Sequence, residues 1–423
     1  MLKYTYIILG GESMENFEKN LEKYAELALS VGINLKEKEG LYVMGNVETL
    51  PLIRKIVKKA YEMGAKHVEF QLSDDDMTLA KYNYAKDFVF DDFPKWKVDA
   101  MEDMYKDNYH HLAVNAPNPE LLKNVDGDLV ARNQKTISKA TAHLMEYRMT
   151  GYTKWCIVAM PSVAWAKSVY PDLEEAEAIE KLWEKVFEAT RVDMDDPVEA
   201  WRVHDKNLKK YRDYLNENQF EKLLFKGPGT DLEVYLAEDH FWMGGSKESQ
   251  EGHPFVANIP TEEVFTTPHF KKVNGTLKAT KALSLNGKLV DDFGFTFKDG
   301  KVVDFYAKKG YEVLEKLMEN DEGAKYLGEI ALVQDDSPIS NTKILFNNTL
   351  FDENASVHFA LGKSYSYAMR DGANLSQEEL KEKGANFSLI HTDFMVGGPE
   401  LNILAYEKDG SQVELFKDGN WTF

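Results

Sequence analysis

The segment LYVMGNVETLPLIRKIVKKAYEMGAKHVEFQ, residues 41–71, decides the fold of the first half of the chain. LYVM at 41–44 and HVEFQ at 67–71 are typical of short strands. Between them, helical spacing runs from about Pro51 to Met63 and ends at Gly64. A strand, a helix and a strand within about 30 residues make a βαβ unit, which implies parallel pairing and a right-handed crossover.

The same alternation continues on both sides of this segment. Before it, apolar residues repeat at helical spacing up to Gly32 and predict a first helix: Phe17, Leu21, Tyr24, Ala28 and Val31. After it come predicted helices near 75–85 and 95–107, the strand HHLAV, and the apolar strand KWCIVAM. The pattern predicts a mostly parallel, doubly wound sheet with helices on both faces. It contains no glycine-rich nucleotide motif, so the alternation alone does not indicate nucleotide binding.

The second half of the chain has a different pattern, beginning at KGPGTDLEVYLAE, 226–238. Short alternating runs are separated by dipeptides that favour hairpin turns: Asn274-Gly275, Asn286-Gly287, Asp299-Gly300, Asp409-Gly410 and Asp418-Gly419. We therefore expect a β-rich α+β domain, with the boundary between about 218 and 228. The predicted organisation is an α/β domain over 14–222 and a β-rich domain over 223–423. We expect residues 1–13 to be a leader or an extra segment, because Met14 directly precedes the first clear helix.

Composition excludes several classes of protein. The chain has 51 basic and 71 acidic residues and a net charge of −20, which argues against nucleic acid and anionic membranes as partners. No apolar run approaches the roughly 20 residues needed to span a bilayer. The single cysteine, Cys156, excludes an internal disulfide, and its apolar surroundings predict a buried structural thiol. A reducing, cytoplasmic location is expected.

Two carboxylates and an imidazole stand in the apolar segment 326–362, YLGEIALVQDDSPISNTKILFNNTLFDENASVHFALG. Glu329, Glu353 and His358 would be costly there unless they are paired or bind a cation. Each has an ordinary explanation too, since Glu329 could pair with an arginine and a lone buried histidine is usually part of a core. The segment therefore suggests a metal site only if further ligands are found.

Two other segments offer such ligands. IPTEEVFTTP carries Glu262 and Glu263, of which only one is expected to face a site because adjacent residues of an extended segment point opposite ways, leaving the other solvated. SLIHTDFMVGG carries His391 and Asp393, which share one face of a strand. Together these residues could hold two divalent cations that share one bridging carboxylate. Carboxylates with some imidazole suit Zn²⁺, Co²⁺ or Mn²⁺ better than metals selected by thiolates.

Four motifs in this order resemble those of one known family: NIPTEEVFTTP, GEIALVQDDSPIS, NTLFDENASVHFALG and IHTDFMVGG. They are similar to motifs of the thermophilic aminopeptidase family of metallopeptidases, which includes the aminopeptidase T, aminopeptidase S and PepS proteins. Matching phrases in the first half include SVGINLKEKEGLYV and MPSVAWAKSVYP, so the resemblance extends from about residue 15 to the C-terminus.

The resemblance implies a cytoplasmic, homodimeric, dinuclear metallo-aminopeptidase of broad specificity, with the β-rich domain catalytic. It implies that the nucleophile is a metal-activated water, that the ions are Zn²⁺ or Co²⁺, with Mn²⁺ or Mg²⁺ as alternatives, and that the substrates are peptides with a free N-terminus. Residues matching the family's metal ligands are Glu263, Glu329 as the bridge, His358, His391 and Asp393. Glu353 matches either a further ligand or a catalytic acid/base, and Tyr365 matches an active-site tyrosine.

Two other functions are compatible with the same residues. One is a dinuclear hydrolase of another bond, such as a phosphoester, although no basic residue beside the motifs would clamp the anion. The other is a non-catalytic binding protein that metal ions stabilise. A structural ion is normally fully coordinated by protein, whereas a catalytic ion keeps an exchangeable position.

Overall fold

The computed structural model describes residues 11–285 and 288–423. The α-helices in these residues are α1 (Gly11–Leu27), α2 (Leu50–Glu62), α3 (Asp75–Tyr84), α4 (Lys95–Lys106), α5 (Gly127–Thr141), α6 (Leu144–Met149), α7 (Val163–Val169), α8 (Glu175–Ala189), α9 (Pro197–Asn218), α10 (Tyr311–Met318), α11 (Pro338–Asn341), α12 (Thr349–Asp352) and α13 (Gln377–Glu382). The strands are β1 (Gly40–Asn46), β2 (Val68–Ser73), β3 (Tyr109–Asn115), β4 (Trp155–Ala159), β5 (Lys222–Gly227), β6 (Thr230–Leu236), β7 (Met243–Gly244), β8 (Lys247–Glu248), β9 (Pro254–Phe255), β10 (Asn258–Ile259), β11 (Val264–Thr266), β12 (Pro268–Lys278), β13 (Leu283–Leu285), β14 (Lys288–Lys298), β15 (Lys301–Lys309), β16 (Leu327–Leu332), β17 (His358–Gly362), β18 (His391–Met395), β19 (Asn402–Tyr406), β20 (Gln412–Lys417) and β21 (Asn420–Trp421).

The first compact unit contains the residues up to Val203 together with Ser246–Pro260. The five strands of its main sheet are all parallel, in the order β10-β4-β3-β1-β2, and Leu41 lies opposite both Val68 and His110. The short strands β8 and β9 pair antiparallel in a separate two-stranded sheet. The sheet spreads to both sides of β1, which confirms the predicted doubly wound α/β architecture. Strand residues are buried along β1, β3 and β4, as expected where helices cover both faces of a parallel sheet.

The second compact unit contains His204–Gly245 and Thr261–Phe423. This division differs from the expected single boundary near 218–228, because α9 is shared between the units and residues 246–260 belong to the first. The physical reason is β10, two residues long, which pairs with β4 in the parallel sheet. A strand this short has no periodicity that a sequence could reveal. Residues 1–10 of the expected leader lie outside the described residues, and α1 begins at Gly11.

The second unit is built from two antiparallel sheets, which confirms a β-rich fold. One has nine strands, with the path β13-β14-β12-β6-β5-β19-β20-β21 and β15 beside β14, and the other has the order β18-β17-β16-β11-β7. Their facing side chains form one core, in which Phe225 contacts Phe359 and Phe295 contacts Phe394 at ring distances of 5.0 and 5.1 Å. Each buried phenylalanine contributes on the order of 2 kcal/mol of hydrophobic free energy.

The predicted turns have mixed outcomes. Asp299-Gly300 joins β14 to β15 and Asp418-Gly419 joins β20 to β21, with positive φ at both residues of each pair. Asp409-Gly410 lies in the loop between the paired strands β19 and β20. The prediction for Asn274-Gly275 is wrong, because both residues lie inside β12, between β6 and β14. The Asn286-Gly287 turn lies outside the described residues.

No helix among the described residues is long and apolar enough to cross a membrane.

Candidate metal centre

The candidate ligands lie on neighbouring strands of the five-stranded antiparallel sheet. Glu329 is on β16, His358 begins β17, and His391 and Asp393 are on β18. Glu263 immediately precedes β11. Strand residues alternate between two faces, so Ile330, Phe359 and Phe394 enter the core while their neighbours Glu329, His358 and Asp393 share the other face.

The pairing register brings these residues into two groups of three. Ala360 lies opposite both Glu329 and Asp393, which places the two carboxylates in one row across the sheet. Glu263, Glu329 and His358 form one group, and Glu329, His391 and Asp393 form the other, with the ligand atoms of each group within 4.8 Å of one another. Each group can hold a metal ion, and Glu329 belongs to both.

Both histidines turn the same ring nitrogen towards the carboxylates. Nδ1 of His358 lies 3.2 Å from the carbonyl oxygen of Ser356, and Nδ1 of His391 lies 2.7 Å from that of Lys363. A carbonyl oxygen can only accept, so each Nδ1 carries a proton and donates it. Nε2 is then the free ligand atom, 3.2 Å from Glu263 Oε2 in His358 and 3.3 Å from Glu329 Oε2 and Asp393 Oδ1 in His391. Histidine ligands of metals are commonly oriented in this way.

Glu329 lacks the contacts that a buried carboxylate needs. It is 5% exposed, and its Oε2 has no hydrogen-bond partner among the described residues. His391 Nε2 is near enough to this oxygen for an ion pair, but its approach lacks the direction of a hydrogen bond. A buried, unsatisfied carboxylate oxygen beside two histidine nitrogens fits a bound cation.

The pKa values of the cluster also indicate that positive charge is favoured there. Burial opposes a charge on His358, yet the Glu263 carboxylate raises the pKa of the imidazole to about 10. Burial also opposes a charge on His391, and the carboxylates of Asp393 and Glu329 raise its pKa to about 11. Burial raises the pKa of the Glu329 carboxyl to about 7. The raised pKa values favour protons on these groups, and such protons supply positive charge that a divalent cation would otherwise provide.

Glu353 lies beside the cluster and outside both groups of three. It begins a short 3-10 turn, Glu353–Ala355, and with Asp393 it lines a small cavity of about 70 Å³. Burial, followed by the carboxylates of Asp393 and Glu263, raises the pKa of Glu353 well above its usual range. The rest of the cavity wall mixes apolar and polar side chains: Ala282, Leu283, Ser284, Asn347, Asn348, Thr349, Asp352 and Met395.

Tyr365 packs against the histidine of the second group. Its ring lies 4.6 Å from that of His391 and is stacked at 5.0 Å on Tyr367. Burial, followed by the charge of Glu329, raises the pKa of the Tyr365 phenol, so the hydroxyl keeps its proton at neutral pH. It can therefore donate a hydrogen bond.

Glu262 and Glu263 separate in space, but the expectation that one of them is solvated is wrong. Glu262 is 4% exposed, and its carboxylate lies 3.5 Å from Nε2 of His204 in α9. The backbone N–H of Glu262 donates to Oδ1 of Asn354 at 2.7 Å. Sequence reasoning missed this pairing, because α9 and the segment before β11 show no common pattern.

Known proteins are similar to this chain along almost its whole length. The family described as thermophilic metalloprotease (M29) matches residues 17–421. The protein named Aminopeptidase 2 of Geobacillus stearothermophilus is 47% identical over 410 residues, covering 97% of this chain and 99% of the relative. Aminopeptidase AmpS of Bacillus subtilis (strain 168) is 42% identical over 410 residues, covering 97% and 100%.

A solved structure has the same fold. Wild-type AmpT from Thermus thermophilus superposes with a TM-score of 0.89 at 38% identity, covering 96% of this chain and 100% of that one. Fold, candidate ligands and near full-length similarity therefore lead to one conclusion: the chain belongs to the thermophilic metalloprotease (M29) family.

Proposed function

We propose that this protein is an aminopeptidase that binds two divalent metal ions and removes N-terminal residues from peptides with broad specificity. The observation that carries the proposal is the position of Glu329, which belongs to both groups of possible ligands and has an unsatisfied buried oxygen. A carboxylate shared between two groups is the arrangement that a bridging ligand requires. The names of the relatives support an exopeptidase.

The ligand types favour particular metals. Each group combines two carboxylates with one imidazole, three protein ligands in all, which is the number typical of catalytic zinc sites. This combination suits Zn²⁺ or Co²⁺, with Mn²⁺ or Mg²⁺ as alternatives. Bound ions of this kind lower the pKa of water towards neutrality and polarise a carbonyl group.

We assign two catalytic roles to residues beside the ligands. In its ionised form, the buried Glu353 carboxylate would accept a proton from the attacking water and pass it to the leaving amine, and its raised pKa makes it a stronger base than an exposed carboxylate. The protonated Tyr365 hydroxyl would donate a hydrogen bond to the developing oxyanion. The cavity next to Glu353 is lined by both apolar and polar side chains, so it favours no single class of substrate side chain. This supports broad specificity.

The proposal extends to location and assembly. The single, buried cysteine supports a reducing compartment, and we place the protein in the cytoplasm. The homodimer follows from the family resemblance, and light scattering of the purified protein tests it.

The test is the substitution Glu329→Gln, which keeps the volume of the side chain but removes its charge. We expect loss of bound metal, measured by elemental analysis, and at least a thousand-fold fall in hydrolysis of aminoacyl-anilides. Glu233→Gln is the matched control, because Glu233 lies on a strand of the same unit and pairs with Lys222. Full activity of a folded Glu329→Gln variant would contradict the proposal. Phosphoester substrates are tested in parallel, and hydrolysis of the anilides without hydrolysis of the phosphoesters would exclude a phosphoesterase.

A further inference from the structure

Asn354 connects two segments of the candidate metal centre that are far apart in the chain. It is 0% exposed, and its Oδ1 accepts the backbone N–H of Glu262 at 2.7 Å across 92 residues of sequence. Its Nδ2 donates to the carbonyl oxygen of Leu350 at 3.2 Å and to Glu353 Oε1 at 3.4 Å. One amide side chain thus binds the segment before β11 to the turn that carries Glu353.

Each end of this connection lies next to a residue of the candidate site. The Glu262 amide is one residue before Glu263, whose carboxylate meets His358 at 3.2 Å, so holding this amide fixes the backbone that presents Glu263. At the other end, Nδ2 of Asn354 donates a hydrogen bond to the Glu353 carboxyl. This donor is uncharged, whereas the other groups that act on Glu353 include the carboxylates of Asp393 and Glu263. A fully buried amide that uses both its donor and its acceptor is held in one orientation.

We propose that Asn354 is a positioning residue for the reaction, which orients the Glu353 carboxyl relative to the ligand Glu263. This inference rests on the proposed function, since it gives Glu353 a part in proton transfer. A general acid or base must lie within hydrogen-bond reach of the atom it serves, and small displacements cost large factors in rate. Asn354 supplies that constraint without touching the substrate.

The test is Asn354→Asp, which has nearly the same shape. The variant retains an acceptor for the Glu262 amide and loses the donor towards Glu353. We expect kcat for an aminoacyl-anilide to fall 10- to 100-fold, while KM and metal content stay within twofold of the wild type. Asn216→Asp is the matched control, because Asn216 in α9 also donates to a backbone carbonyl and accepts a backbone N–H, both of Trp242.

A second comparison separates positioning from folding. In a Glu353→Gln background the step that Asn354 supports is already lost, so Asn354→Asp should lower kcat by less than twofold further. If Asn354→Asp folds poorly, Asn354→Ser serves in both backgrounds with the same expectation. Unchanged kcat, a loss of activity that only follows loss of metal, or an equal fall in the Glu353→Gln background would overturn the inference. Lack of activity in the wild-type protein would instead contradict the proposed function.

Discussion

At the scale of single residues, the site is defined by charges that need partners. Glu329 is buried with an unsatisfied oxygen, and the Nε2 atoms of His358 and His391 face carboxylates. Tyr365 differs from these residues, because burial keeps its phenol protonated and makes it a donor. This difference predicts that removal of the Tyr365 hydroxyl affects the reaction and spares metal binding.

Tyr365→Phe should lower kcat for aminoacyl-anilides about 100-fold, because a hydrogen-bond donor to an oxyanion contributes factors of that order. The phenylalanine ring can still stack on Tyr367 and pack against His391, so metal content should be unchanged. Steady-state kinetics and elemental analysis make the measurement. Tyr311→Phe is the control, since Tyr311 is stacked on Phe305 in the same unit. Loss of metal in Tyr365→Phe, or an unchanged kcat, would refute the assigned role.

At the scale of elements, most strands and helices could be predicted from local pattern. The βαβ unit of residues 41–71 and the β14–β15 hairpin are present as expected, because their signals are periodicity and turn residues close together in sequence. The Asn274-Gly275 pair shows where this reasoning fails. A glycine that permits a tight turn and one that permits a close approach between strands look the same in a sequence.

The position of Gly275 gives a prediction about stability. A Cβ there would lie 2.0 Å from the carbonyl oxygen of Asp231, at a φ of 122° that other residues rarely adopt. Gly275→Ala should therefore lower the free energy of unfolding by about 3 kcal/mol or more, measured by urea denaturation. Gly398→Ala, in the same unit with open space around it, should change stability by less than about 1 kcal/mol. Equal stability of the two variants would show that the β6–β12 pairing tolerates a side chain at this position.

At the scale of the whole molecule, the candidate site residues all belong to the second compact unit, and the chain as a whole carries a charge of −20. Several negative charges thus converge within one buried cluster of a protein that is already acidic. Without bound metal, protons on His358 and His391 offset this charge. The stability of the metal-free protein should therefore depend on pH.

The direction follows from the pKa values. The folded-state pKa values of His358 and His391, about 10 and 11, lie above the unfolded value of 6.5, so folding favours the protonated forms. Their contribution to stability is complete below pH 6.5 and is lost as the pH rises towards 10–11. We expect the metal-free protein to lose roughly 2 kcal/mol or more across this interval, measured by urea denaturation after chelation.

Two comparisons check the origin of this effect. The metal-free His358→Asn/His391→Asn variant should show a weaker pH dependence towards pH 10–11, because the two imidazoles that titrate there are gone and only the raised pKa values of the Glu329 and Glu353 carboxyls remain. His253→Gln, at a partly exposed position in the first unit, should leave the dependence unchanged. A flat profile for the metal-free wild type would contradict the assigned protonation.

The sequence by itself determined the fold class, the residue types at the candidate centre and the resemblance to a metallopeptidase family, because these are carried by local periodicity, turn residues and short motifs. Only the tertiary structure decided that Glu329 is shared between two groups of possible ligands, that Glu262 is buried beside His204, and that Asn354 connects Glu262 to Glu353. These contacts join residues from separate parts of the chain. Such contacts depend on strand register and loop path, which no single segment encodes. The segment 41–71 likewise predicted the parallel sheet but not β10, which joins that sheet from more than 180 residues further along the chain.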